Sequence, residues 1–152
     1  MEEVNEADLL LHVVDASHPV WEEQRQVVDQ VLAELGAAEK PVLYVFSKID
    51  AFEHSLPAGS PLRQPSAPYY DEPDSQRVHA EVQRLLIQWD GSLIDRTAAN
   101  HYARYRYSAL SALGETPTKE NLVSGRGIHP YRVFDPLAWM LNRFGVLPEH
   151  GG

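Results

Sequence analysis

Two short stretches of the sequence are apolar without a charged residue. Residues 9–14 are apolar except for His12, and residues 42–46 are entirely apolar. Runs of this kind are typical of parallel strands that are covered on both faces. Between them, residues 19–35 carry apolar side chains at helical spacing and are followed by Gly36, which predicts an amphipathic helix. Strand, helix and strand in this order predict a right-handed parallel crossover.

Two loops separate the elements predicted for the rest of the chain. Residues 51–75 lack periodicity and are rich in proline, which predicts a long proline-rich loop. A helical stripe returns over residues 76–89. Tyrosine and arginine then alternate over residues 103–107, which predicts an edge strand with one solvent-facing side. After a second loop at residues 114–130, Asp135 is expected to cap a last helix.

These elements predict an α/β domain with three mainly parallel strands and helices on both faces. We expect residues 1–152 to form one domain, because a chain of this length buries a single core. Ligands of such sheets bind outside the carboxyl ends of the strands. Ser47, Lys48 and Asp50 follow the second strand and residues 108–110 follow the third, so we expect both segments on one rim of the sheet.

The composition narrows the class of partner. The net charge of −9 argues against non-specific binding to a nucleic-acid backbone. No apolar run approaches the roughly 18 residues of a membrane span and no leader is visible, so we expect a cytoplasmic protein without membrane contact. The absence of cysteine excludes disulfides and thiolate metal sites, and the seven histidines show no ligand spacing, so no metal site is expected.

The chemistry at the predicted rim suits a guanine base. A carboxylate at Asp50 can accept two parallel hydrogen bonds from guanine, whereas adenine presents no such donor pair; the discrimination is on the order of 1–3 kcal/mol. Lys48 can lay its methylene stem over the base. In the third-strand segment, the backbone N–H of Ala109 is expected to reach the guanine O6 atom, and the Ser108 hydroxyl to steady Asp50.

Each of these residues also has a simpler interpretation. Residues 47–50 can be a strand end with solvated charges, and Asp15 can be a turn residue or a helix N-cap. The tyrosines and arginines of residues 102–107 could stack on RNA, but a strand that packs its aromatic side chains inward is the favoured interpretation.

The rim residues match the pattern of a known family. Residues 2–50 resemble the second half of the GTPase domain of HflX-type proteins, which belong to the translation-factor-related GTPases. Ser47-Lys48-Ile49-Asp50 stands in the place of the family's Asn-Lys-x-Asp motif, and Ser108-Ala109-Leu110 resembles its base-contacting loop. Residues 76–145 look more like bacterial double-GTPase-type domains. The resemblance implies a partial P-loop-GTPase-like three-layer fold that binds GTP or GDP.

Two departures from the family pattern limit the expected activity. Ser47 replaces an asparagine whose amide normally reaches the phosphate loop. The sequence also holds no G-x-x-x-x-G-K-[ST], hence no cradle for phosphates and no ligand for Mg²⁺. The chain is therefore expected to represent the guanine-recognition half of a G domain and to be inactive alone. GTP hydrolysis and Mg²⁺ binding are expected only in a completed domain. The resemblance to HflX implies the ribosome as a partner.

A second hypothesis belongs to a different class. The chain can be a degenerate or truncated G domain that serves as a non-catalytic protein-interaction module. In that case the strand edge at residues 9–14 would bind another protein or a second copy of the chain, because an unpaired strand edge offers backbone donors and acceptors.

Overall fold

The computed structural model describes residue 4 and residues 6–37, 40–89, 92–115 and 127–148. The strands are β1 (Leu10–Asp15), β2 (Val42–Ser47) and β3 (Tyr105–Ala109). The α-helices are α1 (Trp21–Glu34), α2 (Glu72–Gln88), α3 (Ser92–His101) and α4 (Asp135–Arg143). Two 3-10 helices, Ile49–Ser55 and Pro61–Arg63, lie between β2 and α2. No described helix has the length and apolar character needed to cross a lipid bilayer.

The three strands form one parallel sheet in the order β1-β2-β3. Leu10 pairs with Val42, and Val42 pairs in turn with Tyr105. The α/β prediction with parallel strands is therefore confirmed. β2 lies in the middle, and every residue from Val42 to Phe46 is at most 3% exposed. Its continuous apolar sequence thus corresponds to a strand that is covered on both faces.

Helices pack on the two faces of the sheet. On one face, Tyr44 and Phe46 belong to a core that includes side chains from α1, α2 and α3, such as Trp21, Leu85 and Ala98. On the other face, Leu43 and Val45 pack with Ala138 and Trp139 of α4 and with Tyr70. Successive residues of β2 point to opposite faces, which explains why neighbours in sequence enter different cores.

The proline-rich stretch is more ordered than its sequence predicts. It contains most of the first 3-10 helix and all of the second, and its Leu56 and Leu62 are at most 4% exposed. α2 begins at Glu72, four residues before the predicted start, because the Asp71 side chain accepts a hydrogen bond from the Asp74 backbone N–H at 3.1 Å. This is an N-cap, which satisfies a donor that the first turn of a helix leaves unpaired.

β3 is an edge strand, as predicted; Arg104, just before it, is exposed as expected, but the solvent-facing side does not continue along the strand. Ser108 is 4% exposed, and the Arg106 side chain is 18% exposed and pairs with Glu72 at 2.8 Å. The physical reason is that Arg106 and Ser108 lie on the face with Leu43 and Val45, which Tyr70 and, from α4, Trp139 cover. Helix α3 is an element that the spacing of residues did not predict. Much of the predicted loop at 114–130 lies outside the described residues.

Candidate functional site

The chain turns sharply where β2 ends. Lys48 adopts a φ of 58°, in the left-handed region that residues other than glycine seldom occupy. The 3-10 helix begins at the next residue, Ile49, which is buried together with Asp50. Lys48 stays on the surface. The turn therefore places the cation of Lys48 on the surface and the carboxylate of Asp50 in the interior, two positions later in the sequence.

Ser47 and Lys48 connect the end of β2 to the end of β1. The Ser47 hydroxyl donates to the Val14 carbonyl at 3.1 Å, and Lys48 Nζ lies 2.5 Å from Asp15 Oδ2. The Lys48 and Asp15 side chains are 62% and 38% exposed. Since exposed ion pairs contribute little to stability, the lysine side chain can leave Asp15 at a small cost.

Asp15 is a turn residue, one of the two simpler roles expected from its sequence. Its Oδ1 atom accepts from both the backbone N–H and the hydroxyl of Ser17, at 3.0 and 2.7 Å. The hydrogen bond from Lys48, followed by the one from the Ser17 side chain, lowers the pKa of Asp15 below its ordinary value. The carboxylate is therefore ionised at neutral pH and holds the lysine at the rim.

Asp50 is fixed by a serine from the segment that follows β3. The Ser111 hydroxyl donates to Asp50 Oδ1 at 2.5 Å and accepts from the backbone N–H of Gly114 at 2.8 Å. Ser111 is fully buried. A hydrogen bond to a carboxylate from a side chain that is itself held in place fixes the orientation of the carboxylate.

Backbone hydrogen bonds hold the two rim segments side by side. The N–H of Ile49 donates to the carbonyl of Leu110 at 3.2 Å, and the N–H of Leu110 donates to the carbonyl of Phe46 at 2.9 Å. The segments that follow β2 and β3 therefore meet at the carboxyl ends of the strands, as the sequence predicted.

The contact expected between the Ser108 hydroxyl and Asp50 is wrong, whereas the expected donation from the Ala109 backbone N–H to a guanine base stays a prediction. Ser108 lies within β3, and its hydroxyl is buried without a hydrogen-bond partner among the described residues, so it does not hold Asp50. Ala109 is fully buried opposite Phe46 in the strand ladder. The backbone N–H and carbonyl of Leu110 are both occupied by β2 and Ile49.

The sequence contains the same triplet twice in succession. Ser-Ala-Leu occupies residues 108–110 and again residues 111–113. The first copy is largely strand, whereas the second begins with the serine that holds Asp50 and continues with Ala112, which is exposed. The length of β3 decides which copy reaches the rim. Only the length of β3 could have shown that residues 111–113, and not residues 108–110, lie at the rim.

Comparison with known proteins gives partial matches. The GTPase HflX of Flavobacterium psychrophilum is 50% identical over 54 residues, which are 36% of this chain and 13% of that protein. The chain resembles HflX GTPases over part of its length. The HflX of Gluconacetobacter diazotrophicus is 32% identical over 102 residues, which are 67% of this chain and 23% of that protein.

A further relative carries a different name. SaeC of Mycolicibacterium smegmatis, named for ESX-1 scaffolding and assembly, is 38% identical over 82 residues, which are 51% of this chain and 21% of that protein. The chain thus spans less than a quarter of the length of each of these relatives. No protein-family model matches the chain, and no solved structure matches it.

Proposed function

We propose that the rim formed by residues 47–50 and 111–113 recognises the guanine base of GTP or GDP. The observation that carries this proposal is the hydrogen bond from Ser111 to Asp50 at the carboxyl ends of β2 and β3. It orients a carboxylate near the exposed side chain of Lys48, at the edge of a parallel sheet where ligands bind. The similarity to HflX GTPases supports the same function.

Each rim residue has a role in this proposal. Asp50 accepts the two donors of the guanine edge, since each carboxylate oxygen can accept more than one hydrogen bond. Lys48 leaves Asp15 and lays its stem over the base. The backbone N–H of Ala112 takes the role that the sequence suggested for Ala109, donation to the O6 atom. Ser47 positions the turn through its bond to β1.

We propose that GTP hydrolysis needs residues that this sequence does not contain. Phosphoryl transfer depends on positioning the phosphates and neutralising their charge, and the sequence has no phosphate-loop motif. Among the described residues, no group of three or more acidic or histidine side chains is placed to hold a metal ion. The chain would then act as the guanine-recognition half of a cytoplasmic G domain, with Mg²⁺ and the ribosome as partners of the completed domain.

The decisive experiment compares nucleotides that differ in the base. Titration of the chain with GDP and ADP should show weak binding with a preference for GDP, because base contacts act here without phosphate contacts. Asp50→Asn should weaken GDP binding about 5- to 150-fold, which corresponds to about 1–3 kcal/mol, and should shift the preference toward xanthosine diphosphate. Asp8→Asn, at an exposed aspartate, is the matched control and should change neither.

Two serine variants in the same titration test the assignment of the triplets. Ser111→Ala removes the donor to Asp50 and should weaken GDP binding, whereas Ser108→Ala should leave it unchanged because its hydroxyl has no partner among the described residues. Equal affinity for GDP and ADP in the wild type would refute guanine recognition. If Ser108→Ala weakened GDP binding and Ser111→Ala did not, residues 108–110 would be the base-contacting segment instead.

A second candidate function is a protein-interaction module that uses the edge of β1. The side chains of Leu11 and Val13 are 49% and 58% exposed, and no described strand pairs with the outer edge of β1. The similarity to a relative that is named for scaffolding and assembly supports this candidate. The two functions use different surfaces, so one does not exclude the other.

A further inference from the structure

A short segment of the chain packs behind the part of the rim that follows β3. The backbone N–H of Ser111 donates to the Tyr131 carbonyl at 3.1 Å, and the N–H of Tyr131 donates to the Ser111 carbonyl at 3.0 Å. The N–H of His129 donates to the Leu113 carbonyl at 3.0 Å. These bonds form a short antiparallel ladder outside the three-stranded sheet, and we call residues 129–131 the backing segment.

The ladder holds the residues on both sides of Ala112. Ser111 and Leu113 bond to the backing segment, whereas Ala112 is exposed and its backbone N–H has no hydrogen-bond partner among the described residues. The ladder therefore fixes the chain around the donor that the proposed guanine recognition assigns to the O6 atom, and it does so without using that donor.

The backing segment is anchored to the rest of the chain at Arg132, the residue that follows it. The Arg132 side chain is buried; its guanidinium donates to the Pro61 carbonyl at 2.8 and 3.0 Å and pairs with Asp135 at 2.9 Å. Charge-assisted hydrogen bonds of this kind add geometric specificity as well as energy. The ladder therefore connects the rim to a part of the chain that is itself fixed.

Gly114 allows the backing segment to approach this closely. It is buried and has a φ of 81°, a conformation that glycine adopts far more readily than other residues. A Cβ atom added to Gly114 would overlap the His129 carbonyl oxygen and lie 2.6 Å from the His129 carbonyl carbon. Because the obstacle is backbone, no side-chain rotation can relieve the overlap, and one of the two segments has to move.

The same glycine bonds directly to the serine that orients Asp50. The Gly114 N–H donates to Ser111 Oγ at 2.8 Å, and the Ser111 hydroxyl donates to Asp50 Oδ1 at 2.5 Å. A hydroxyl has a single proton, so a donor that occupies one of its lone pairs helps to direct that proton to the carboxylate. A displacement of Gly114 would therefore disturb the hydrogen bond that orients Asp50.

We propose that Gly114 is a positioning residue for guanine recognition, because it lets the backing segment hold Ser111 and Ala112 in place beside Asp50. This inference rests on the proposed guanine recognition and extends it to residues that do not contact the base. With a side chain at residue 114, the two segments separate, the Ser111 hydroxyl moves, and the Asp50 carboxylate loses the hydrogen bond that orients it.

The first test compares two glycine variants of the full chain by amide hydrogen exchange without nucleotide. Gly36 also has a positive φ, 74°, but a Cβ atom added there meets no atom within 4 Å, so Gly36→Ala introduces the backbone strain without the overlap. Gly114→Ala should raise the exchange rates of the Ser111 and Tyr131 amides about 10-fold more than that of Val45 in β2, as the loss of one hydrogen bond predicts. Gly36→Ala should change all three rates by the same factor.

The second test titrates the same variants with GDP and ADP. Gly114→Ala should weaken GDP binding about 10-fold, as expected for a lost hydrogen bond to a charged group, and should leave ADP binding unchanged. Gly36→Ala should change neither. In a Ser111→Ala background, Gly114→Ala should weaken GDP binding by less than about 2-fold further, because residues that act through the same bond are not additive. His129→Pro removes one ladder bond at an exposed residue and should also weaken GDP binding, which provides a second variant if Gly114→Ala does not fold.

The two tests separate a failure of this inference from a failure of guanine recognition. If the wild-type chain binds GDP and ADP equally, guanine recognition is refuted and the positioning role with it. If the wild type prefers GDP, and both Gly114→Ala and His129→Pro keep that preference in full, guanine recognition stands and the positioning role is refuted. Additive losses from Gly114→Ala and Ser111→Ala would refute it as well, because Gly114 would then not act through Ser111. Exchange rates at Ser111 and Tyr131 that rise no more than at Val45 would refute the role of the backing segment.

Discussion

The two edges of the sheet differ in how their backbone groups are covered. At the β3 edge, the N–H of Tyr107 donates to Nδ1 of His79 on α2 at 3.0 Å, and the two rings stack with centroids 5.2 Å apart. At the β1 edge, no described strand or helix residue fills this role, and Leu11 and Val13 remain about half exposed. Helix α2 closes the β3 edge, whereas no described strand pairs with the outer side of β1.

This difference matters because unpaired strand edges invite association with other strands. Proteins usually protect such edges with charges, bulges or covering helices. Here α2 covers β3, and the ion pair between Arg106 and Glu72 closes the same side. The contrast indicates that the described residues stabilise the β3 edge and do not cover the β1 edge.

The largest expected effect comes from the residue that secures α2 on the β3 side. Arg132 is 1% exposed; its guanidinium donates to the Pro61 carbonyl at 2.8 and 3.0 Å and pairs with Asp74 and Asp135 at the starts of α2 and α4. Arg132→Met should lower the free energy of unfolding by about 3–5 kcal/mol, because it leaves two carboxylates without their buried partner. Urea denaturation measures this.

The matched control is Arg77→Met. Arg77 also pairs with Asp74, at 2.9 Å, but its side chain is 63% exposed. Its loss should cost at most about 1 kcal/mol. If the two variants lost equal stability, the buried network at the start of α2 would not be what stabilises the β3 side.

A smaller effect is expected at the closed edge itself. His79→Leu removes the acceptor of the Tyr107 N–H and should destabilise the chain by about 1–3 kcal/mol at pH 7. His79→Asn keeps an acceptor at a similar position and should cost less. Thermal or urea unfolding of the three proteins at pH 7 gives the comparison.

The same variants have an expected pH dependence. Burial, and then the neighbouring Arg106, lowers the pKa of His79 to about 4, from an ordinary value of 6.5. The unfolded chain therefore binds the proton first as the pH falls, so the contribution of His79 is complete above about pH 6.5 and is lost on the way to pH 4. The stability difference between wild type and His79→Leu should shrink over this range. A constant difference would contradict a neutral, half-buried His79.

The strand predictions show what an apolar pattern can and cannot reveal. Residues 42–46 and residues 9–14 have the same continuous character, and both were predicted to be covered on two faces. β2 is covered, but Leu11 and Val13 are not, because α4 packs over β2 and the described residues provide no element over the outer side of β1. The pattern reveals that burial is favourable at a position, not whether the same chain provides it.

The sequence was sufficient to place the candidate site at the carboxyl ends of the strands, but not to decide which Ser-Ala-Leu triplet contacts Asp50. Lys48 and Asp50 follow an unmistakable strand, so their position on the rim could be inferred from the run that precedes them. The serine that holds Asp50 could not, because two identical triplets follow each other at residues 108–113. Which triplet reaches the rim depends on how far β3 pairs with β2, and that is a tertiary property. The buried ion pair between Arg25 and Asp29 of α1 was not predicted, because helical spacing alone does not distinguish a buried arginine from a surface one.

The smallest effect on stability is expected at the open edge. Val13→Lys places a charge on an exposed residue of β1 and should change the free energy of unfolding by at most about 0.5 kcal/mol. It should nevertheless slow aggregation of the concentrated protein, because a lysine on a strand edge opposes pairing with another strand. Val27→Lys on α1, where the valine is 63% exposed, changes the net charge by the same amount and should leave aggregation unchanged. Light scattering at constant temperature distinguishes them, and equal slowing by both variants would mean that overall charge, not the β1 edge, controls association.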